Sequence, residues 1–177
     1  MRIRYPLIAT TSVLVLVAAL LVGSATAAGT GVPRRPECTI TGTNGDDELH
    51  GTNGPDVICA RGGNDDVHSR AGNDVVYGGR GNDYVEADGG DDRVYGGARG
   101  DNLGGGRGND QLLGQGGPDQ LWDIWGQGSL FGGRDRDVLW AQDLEGGDRL
   151  FGGARHDVYC ADPGDLLRSV ESIDCGA

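Results

Sequence analysis

The sequence predicts an all-β fold, a solenoid of about thirteen nine-residue repeats in which each repeat gives one turn and one short strand. Three columns carry this prediction when the chain is cut every nine residues from Gly42. Position six is aspartate in almost every repeat, position eight is a large apolar residue, and position four is mostly glycine. A fixed period that joins turn residues to one apolar residue is the signature of a repeat architecture.

Residues 1–28 have the pattern of a secretory signal peptide. Arg2 and Arg4 precede an apolar run over 7–22, and residues 25–27 give the small-x-small pattern of signal peptidase cleavage. A membrane anchor is the alternative, but this run is shorter than the roughly 20 residues that span a bilayer. Residues 29–41 follow as a flexible leader and N-terminal cap. We therefore expect a secreted, extracellular protein with no membrane partner after the signal is removed.

The repeat array extends over residues 42–160. Clean copies have the pattern G-G-x-G-x-D-x-U-x, where U is a large apolar residue, as in residues 78–86 and 105–113. The phase holds for nine repeats, and then the tenth has Gly128 where the aspartate belongs. Ala141 and Gln142 look like a two-residue insertion, which should shift the stack beyond them.

Several repeats also depart from the glycine positions. Ala60-Arg61 and Ser69-Arg70 replace the first two glycines, and position four is not glycine in three repeats: Arg99, Asp135 and Arg155. We expect these departures to affect individual calcium sites, and the sites between Asp47 and Asp119 to be the most regular.

The spacing within one repeat suits calcium. Calcium takes six to eight oxygen ligands with flexible geometry. Glycines allow left-handed backbone angles, so a turn can point carbonyl oxygens inward while the aspartate adds a carboxylate. The next three residues are β-formers, of which only position eight should face the interior. A metal-free glycine solenoid is the alternative, but it would stack like charges and leave the aspartate column unexplained.

This pattern resembles the RTX, or haemolysin-type, calcium-binding repeat. The resemblance implies a parallel β-roll in which two repeats make one full coil, with a strand on each side. Alternate aspartates would line the same edge, about 4.8 Å apart. A Ca²⁺ ion between stacked turns would take an aspartate from each, so we expect several ions, about four to eight. The predicted metal ligands are Asp47, Asp56, Asp65, Asp74, Asp83, Asp92, Asp101, Asp110, Asp119, Asp137, Asp148 and Asp157.

Four cysteines lie in pairs at the two ends of the array, and no C-x-x-C metal motif occurs. In an exported chain an even number predicts disulfides, for which four cysteines allow three connectivities. We favour Cys38–Cys59 and Cys160–Cys175, because each closes a short loop at one open end of the solenoid.

Residues 161–177 leave the repeat and predict a short C-terminal cap. Leu166, Leu167, Val170 and Ile173 have the spacing of an amphipathic helix. Upstream of this cap, three tryptophans cluster where the repeats degrade, and they either cover this imperfect stretch or offer a surface to a carbohydrate or protein: Trp122, Trp125 and Trp140.

Charge and motifs limit the function. The formal net charge of −12 argues against nucleic acid as a partner and favours cations. No G-x-S-x-G, H-E-x-x-H or nucleotide-binding loop occurs, and the three histidines are expected to be exposed and inert. An enzyme with an unrecognised site at His50 or His68 is the least favoured alternative.

The expected function is therefore non-enzymatic. We expect a secreted calcium-binding repeat protein that folds on binding calcium and has a structural or surface role, with an unidentified cell-surface or matrix partner. The alternative is an extracellular adhesion module that binds sugar or ice through the outer face of the roll. Positions seven and nine show no regular row of side chains, which counts against that alternative.

Overall fold

The computed structural model describes residues 36–142, 146–168 and 172–173. The predicted signal peptide and most of the predicted leader lie outside the described residues. Within these ranges every regular element is a strand, and no helix there could cross a membrane.

Sixteen strands alternate between two sheets. Sheet A contains β1 (Ile40–Thr41), β3 (Val57–Gly62), β5 (Val75–Arg80), β7 (Arg93–Ala98), β9 (Gln111–Gly116), β11 (Ser129–Arg134), β13 (Arg149–Gly153) and β15 (Leu166–Arg168). Sheet B contains β2 (Glu48–His50), β4 (Asp66–His68), β6 (Tyr84–Glu86), β8 (Asn102–Gly104), β10 (Gln120–Trp122), β12 (Val138–Ala141), β14 (Val158–Ala161) and β16 (Ser172–Ile173). All neighbouring strands are parallel, so the predicted parallel β-roll is confirmed.

One coil takes two repeats. Val76 pairs with Val94 and Val94 with Leu112, so each strand lies beside the strand two repeats further along the chain. The predicted repeats supply β2 to β14, and the described chain has three further strands at the ends. The predicted repeat count ended at Cys160 and so missed β15 and β16, although Asp165 and Leu167 keep the spacing of positions six and eight there; β1 lies before the first repeat. These end strands keep an apolar residue that packs on the core, namely Ile40 in β1 and Leu167 in β15.

The core is formed by position eight of every repeat. These side chains are fully buried from the second repeat onward: Ile58, Val67, Val76, Val85, Val94, Leu103, Leu112, Leu121, Leu130, Leu139, Leu150 and Tyr159. Burying one such side chain stabilises the fold by about 1.5–3 kcal/mol.

Position one also faces the interior, so the prediction that only position eight does so is incomplete. Ala60 and Ala87 occupy position one and are 0% exposed. Position one lies two residues beyond position eight, and the alternation of the strand therefore turns it inward. Most repeats have glycine there, and a Cβ on Gly78 would lie 2.6 Å from Oδ2 of Asp83. A small residue at position one thus makes room for the aspartate of the same repeat.

The predicted insertion does not shift the stack. Ala141 is buried in β12 and pairs with Ala161, so it occupies position one and is not an inserted residue. The step between paired strands is nevertheless two residues longer here than elsewhere, since Val138 pairs with Val158. The two extra residues therefore lie between Ala141 and Asp148, and the strands on either side keep their pairing.

The departures from glycine do not alter the turns. Arg99, Asp135 and Arg155 at position four have φ of 85°, 80° and 87°, and Arg61 and Arg70 at position two have φ of 80° and 73°. A left-handed conformation costs a non-glycine residue about 1–2 kcal/mol. The stack imposes this conformation on these turns, and glycine only lowers its cost.

The two ends differ from the sequence prediction in one respect. The predicted disulfide between Cys38 and Cys59 is confirmed, whereas Cys175 lies outside the described residues and its bond to Cys160 stays a prediction. The predicted amphipathic helix is wrong for residues 166–168 and 172–173, which add one strand to each sheet. The exposed edge of a sheet offers unpaired N–H and C=O groups, and pairing with them outweighs a weak helical period.

Candidate metal site: the two aspartate columns

Alternate position-six aspartates are stacked on the two edges of the roll. The first column lies in the turns that lead from a strand of sheet A to the next strand of sheet B. It contains Asp47, Asp65, Asp83, Asp101, Asp119, Asp137 and Asp157. The second column lies in the turns that lead from a strand of sheet B to the next strand of sheet A. It contains Asp56, Asp74, Asp92 and Asp110, with Asp148 and Asp165 after a gap at Gly128.

The same hydrogen bond connects successive aspartates in both columns, except at the gap in the second column. The backbone N–H of Asp83 donates to Oδ1 of Asp101 at 2.9 Å, and that of Asp101 to Oδ1 of Asp119 at 2.9 Å. The carbonyl of each aspartate accepts a bond from the strand of the next coil, as Asp83 does from Asn102 at 2.8 Å. The backbone thus holds each carboxylate in a fixed position between two turns.

The second oxygen of the interior aspartates is buried and has no hydrogen-bond partner. This holds for Oδ2 of Asp65, Asp74, Asp83, Asp92, Asp101, Asp110, Asp119, Asp137 and Asp157. Buried charges are normally paired or bound to a metal. The described ion pairs are His50–Glu48, His68–Asp66 and Arg155–Asp135, and none of these involves a buried aspartate.

Burial and mutual repulsion raise the pKa of these carboxyl groups. Burial, together with the charges of Asp119 and Asp83, raises the pKa of Asp101 from 3.8 to about 8, although the backbone N–H of Asp83 opposes the increase. Burial likewise raises the pKa of Asp92 and of Asp119 to about 7. A bound cation would remove the cause of these shifts.

The cost of leaving these oxygens without a partner is as large as the stability of an ordinary domain, or larger. About ten atoms are affected, and each costs about 1–3 kcal/mol, which gives about 10–30 kcal/mol in total. Folded domains are stable by only about 5–15 kcal/mol. The ionised roll therefore needs a cation, and rows of buried carboxylate oxygens are the hard ligands that calcium prefers.

Main-chain carbonyl oxygens would have to complete a calcium site. In the described part of the chain no three side chains of His, Cys, Asp or Glu form a metal-binding group. The carbonyl groups of position four point from one turn to the next. The carbonyl oxygens of Gly63 and Gly72 are the nearest atoms to a Cβ placed on Gly81 and Gly90. Glycine at position four thus lets a carbonyl approach the following turn closely.

The aspartates that begin the columns differ from the interior ones. Oδ2 of Asp47 accepts bonds from Thr43 N at 2.6 Å and Thr43 Oγ1 at 3.0 Å. Thr52 binds Oδ2 of Asp56 in the same way, at 2.7 and 2.9 Å, and these bonds lower the pKa of Asp56. The two predicted ligands at the N-terminal end therefore already have local partners.

Two features of the columns escaped sequence analysis. Asp165 continues the second column, because its Oδ1 accepts bonds from the N–H groups of Gly147 and Asp148 at 2.8 and 3.1 Å. Position five forms an outer ladder that runs the opposite way, in which Asn82 N–H donates to Asn64 Oδ1 at 2.9 Å. The recurrence of Asn or Asp at position five, as in Asn64, Asn82 and Asn109, is the signal that could have revealed this ladder.

The remaining candidates lie on the surface of sheet B. His50 and His68 stack with ring centroids 5.7 Å apart, and each lies 3.2 Å from an acidic side chain of its own strand. Trp122 covers Gly104, because its indole is the nearest group to a Cβ placed on that glycine. The ring centroids of Trp122 and Tyr84 lie 6.0 Å apart. Trp122 thus covers a gap in the face of the sheet.

Comparison with known proteins agrees with this geometry. A family model of the RTX calcium-binding nonapeptide repeat, in four copies, matches residues 41–76, 68–103 and 88–121. None of the curated proteins and none of the solved structures matches the chain. The matched stretches contain the regular part of both aspartate columns, from Asp47 to Asp119.

Proposed function

We propose that this chain, whose residues 41–121 are RTX calcium-binding nonapeptide repeats, is a secreted calcium-binding protein with a structural or surface role. The observation that carries the proposal is the row of buried, unpartnered Oδ2 atoms along each edge. Calcium, when bound, supplies positive charge that neutralises these carboxylates. The protein itself holds the carboxylates in position through the backbone N–H of the preceding coil, so that the columns are formed only when the coils are stacked.

Secretion and a non-enzymatic role are parts of this proposal. The predicted signal peptide supports export, and the Cys38–Cys59 disulfide is typical of an oxidising compartment. Extracellular calcium-binding modules can bind weakly, with Kd on the order of 10⁻⁴–10⁻³ M, so that an exported chain would meet enough calcium to fold after it leaves the cell. No G-x-S-x-G or H-E-x-x-H motif occurs in the sequence, which favours a non-enzymatic role.

Titration calorimetry of residues 29–177 with calcium, and with magnesium as control, tests the binding. We expect about four to eight calcium ions and much weaker magnesium binding, because Mg²⁺ demands octahedral geometry and loses its water reluctantly. Expression with the native leader tests the location, and the exported protein should begin near residue 29. Absence of calcium binding would refute the function, whereas a cell-retained protein that still begins at Met1 would refute only the secretion.

An extracellular adhesion or ligand-binding module is the second candidate, and one observation favours it. The inference that position nine lacks a regular row of side chains is wrong for sheet A. Only alternate repeats are neighbours in one sheet, so a row must be sought among alternate repeats. The partly exposed row there is Tyr77, Tyr95, Leu113, Phe131 and Phe151. The rings of Tyr77 and Tyr95 stack at 4.9 Å, so they cover one another's faces and leave ring edges for a ligand. Adhesion lost in Tyr95→Ser, with calcium binding unchanged, would support this candidate.

A further inference from the structure

The second column has one gap, at Gly128. The backbone of Gly128 still makes the two hydrogen bonds that the position-six aspartates make elsewhere in the columns. Gly128 N–H donates to Oδ1 of Asp148 at 2.6 Å. Its carbonyl accepts a bond from Arg149 N at 3.1 Å, as an aspartate carbonyl does elsewhere. Only the side chain is absent from the tenth repeat.

The carboxylate of Asp123 occupies the space of that absent side chain. Asp123 directly follows β10, at position one of the repeat, and is only 2% exposed. The nearest atoms to a Cβ placed on Gly128 all belong to Asp123: Oδ2, Cγ at 2.9 Å and Cβ at 3.3 Å. A carboxylate therefore reaches the column from five residues upstream of its regular position.

Electrostatics places this carboxylate within the column as well. Burial and the charges of Asp110 and Asp148, the neighbours above and below the gap, raise the pKa of Asp123 to about 8. The backbone amides of Trp125 and Asp110 oppose this increase. Neither oxygen of Asp123 has a hydrogen-bond partner of normal geometry, whereas the regular interior aspartates lack a partner for one oxygen only.

The turn of the tenth repeat also has a different backbone path from its neighbours. The other turns from the third repeat to the eleventh have a positive φ at positions two and four, but here only Gly126 at position four has one, with φ of 119°. Position two is Ile124, and a β-branched residue avoids the left-handed conformation. Ile124 and Trp125 are 40% and 59% exposed as a result of this path. Position one faces the interior in every repeat, so β10 itself directs the carboxylate of Asp123 inward, and Gly128 leaves room for it.

We infer that Asp123 is a calcium ligand that replaces the missing position-six aspartate, so that the second column binds calcium across the tenth repeat without interruption. This inference rests on the proposed calcium binding of the columns. It assigns a ligand to a position of the repeat that is otherwise reserved for glycine or another small residue.

Calcium stoichiometry of variants of residues 29–177, measured by equilibrium dialysis with radioactive calcium, tests the inference. Asp123→Asn should bind at least one calcium ion fewer than the unmodified chain. The double variant Asp123→Gly/Gly128→Asp, which moves the acid to its regular position, should restore the full number. Asp66→Asn removes one exposed charge from the face of sheet B and should bind the full number.

Each outcome bears on one claim. If the unmodified chain binds no calcium, the proposed function fails, and this inference fails with it. If the unmodified chain binds calcium and Asp123→Asn binds as many ions with the same affinity, only the inference is overturned. If Asp123→Asn does not fold at any calcium concentration, the double variant decides: full stoichiometry supports the assignment of Asp123, and a deficit overturns it.

Discussion

Replacing Asp101 with asparagine should weaken the calcium-bound chain and leave the calcium-free chain unharmed or better folded. Asp101 lies in the middle of the first column, where its Oδ1 accepts the N–H of Asp83 and its Oδ2 has no partner. Asparagine keeps the acceptor and removes the charge. With calcium present, the concentration needed for half-maximal folding should rise at least about tenfold, or about 1.4 kcal/mol. Without calcium, the variant loses the repulsion from Asp83 and Asp119.

A calcium titration followed by far-UV circular dichroism measures both effects, with Asp66→Asn as the matched control. The control makes the same chemical change at a side chain that is 56% exposed and lies outside both columns. Its titration should follow that of the unmodified chain. Equal shifts in the two variants would mean that overall charge governs folding, and that the column has no special role.

Acid should partly replace calcium as the agent that folds the chain. Burial raises the pKa of Asp92, Asp101 and Asp119 from 3.8 to about 7 to 8. The folded chain therefore retains protons that the unfolded chain has released. This contribution to stability is full below about pH 4, falls progressively as the pH rises, and is lost once the pH passes about 7 to 8. Asp56, whose pKa is lowered, acts in the opposite sense but is a single group.

In the presence of chelator we accordingly expect more β structure at pH 5 than at pH 8. Because calcium must displace these protons, its apparent affinity should rise as the pH rises toward 8, and binding at pH 6 should release protons. Calorimetry in two buffers of different ionisation enthalpy measures that release. A chelated chain that is more structured at pH 8 than at pH 5 would show that the buried aspartates do not control folding.

The nine-residue period accounts for most of what the sequence could predict. The ligand at position six and the core residue at position eight lie two residues apart, so a single pass along the chain shows both columns. The pairing of alternate repeats came from the family resemblance, and the pairing of Val76 with Val94 confirms it. The turn after Ala141 shows the limit of this approach, because spacing alone does not tell which two residues of this turn are the inserted ones.

The features that were missed depend on contacts that the nine-residue spacing does not show. Asp123 substitutes for position 128 because the side chains of positions one and six of a repeat lie side by side, and the sequence pattern does not show that contact. Asp165 follows Asp157 by eight residues and so falls outside the nine-residue phase, and β15 joins the roll by pairing with β13. The aromatic row that contains Tyr77 and Phe131 becomes regular only when odd and even repeats are separated. For Asp165 and the aromatic row, the controlling contact is between coils that are neighbours in space and distant along the chain, whereas Asp123 fills a space within its own repeat.

Far-UV circular dichroism of residues 29–177 at pH 8, with disulfides intact and calcium added from zero, tests the central claim most directly. Magnesium at equal concentration is the control. We predict a coil spectrum in chelator that changes cooperatively to a β spectrum with calcium and does not change with magnesium. A β spectrum that persists in chelator at pH 8 would contradict the account, because the ionised aspartate columns would then be stable without a cation.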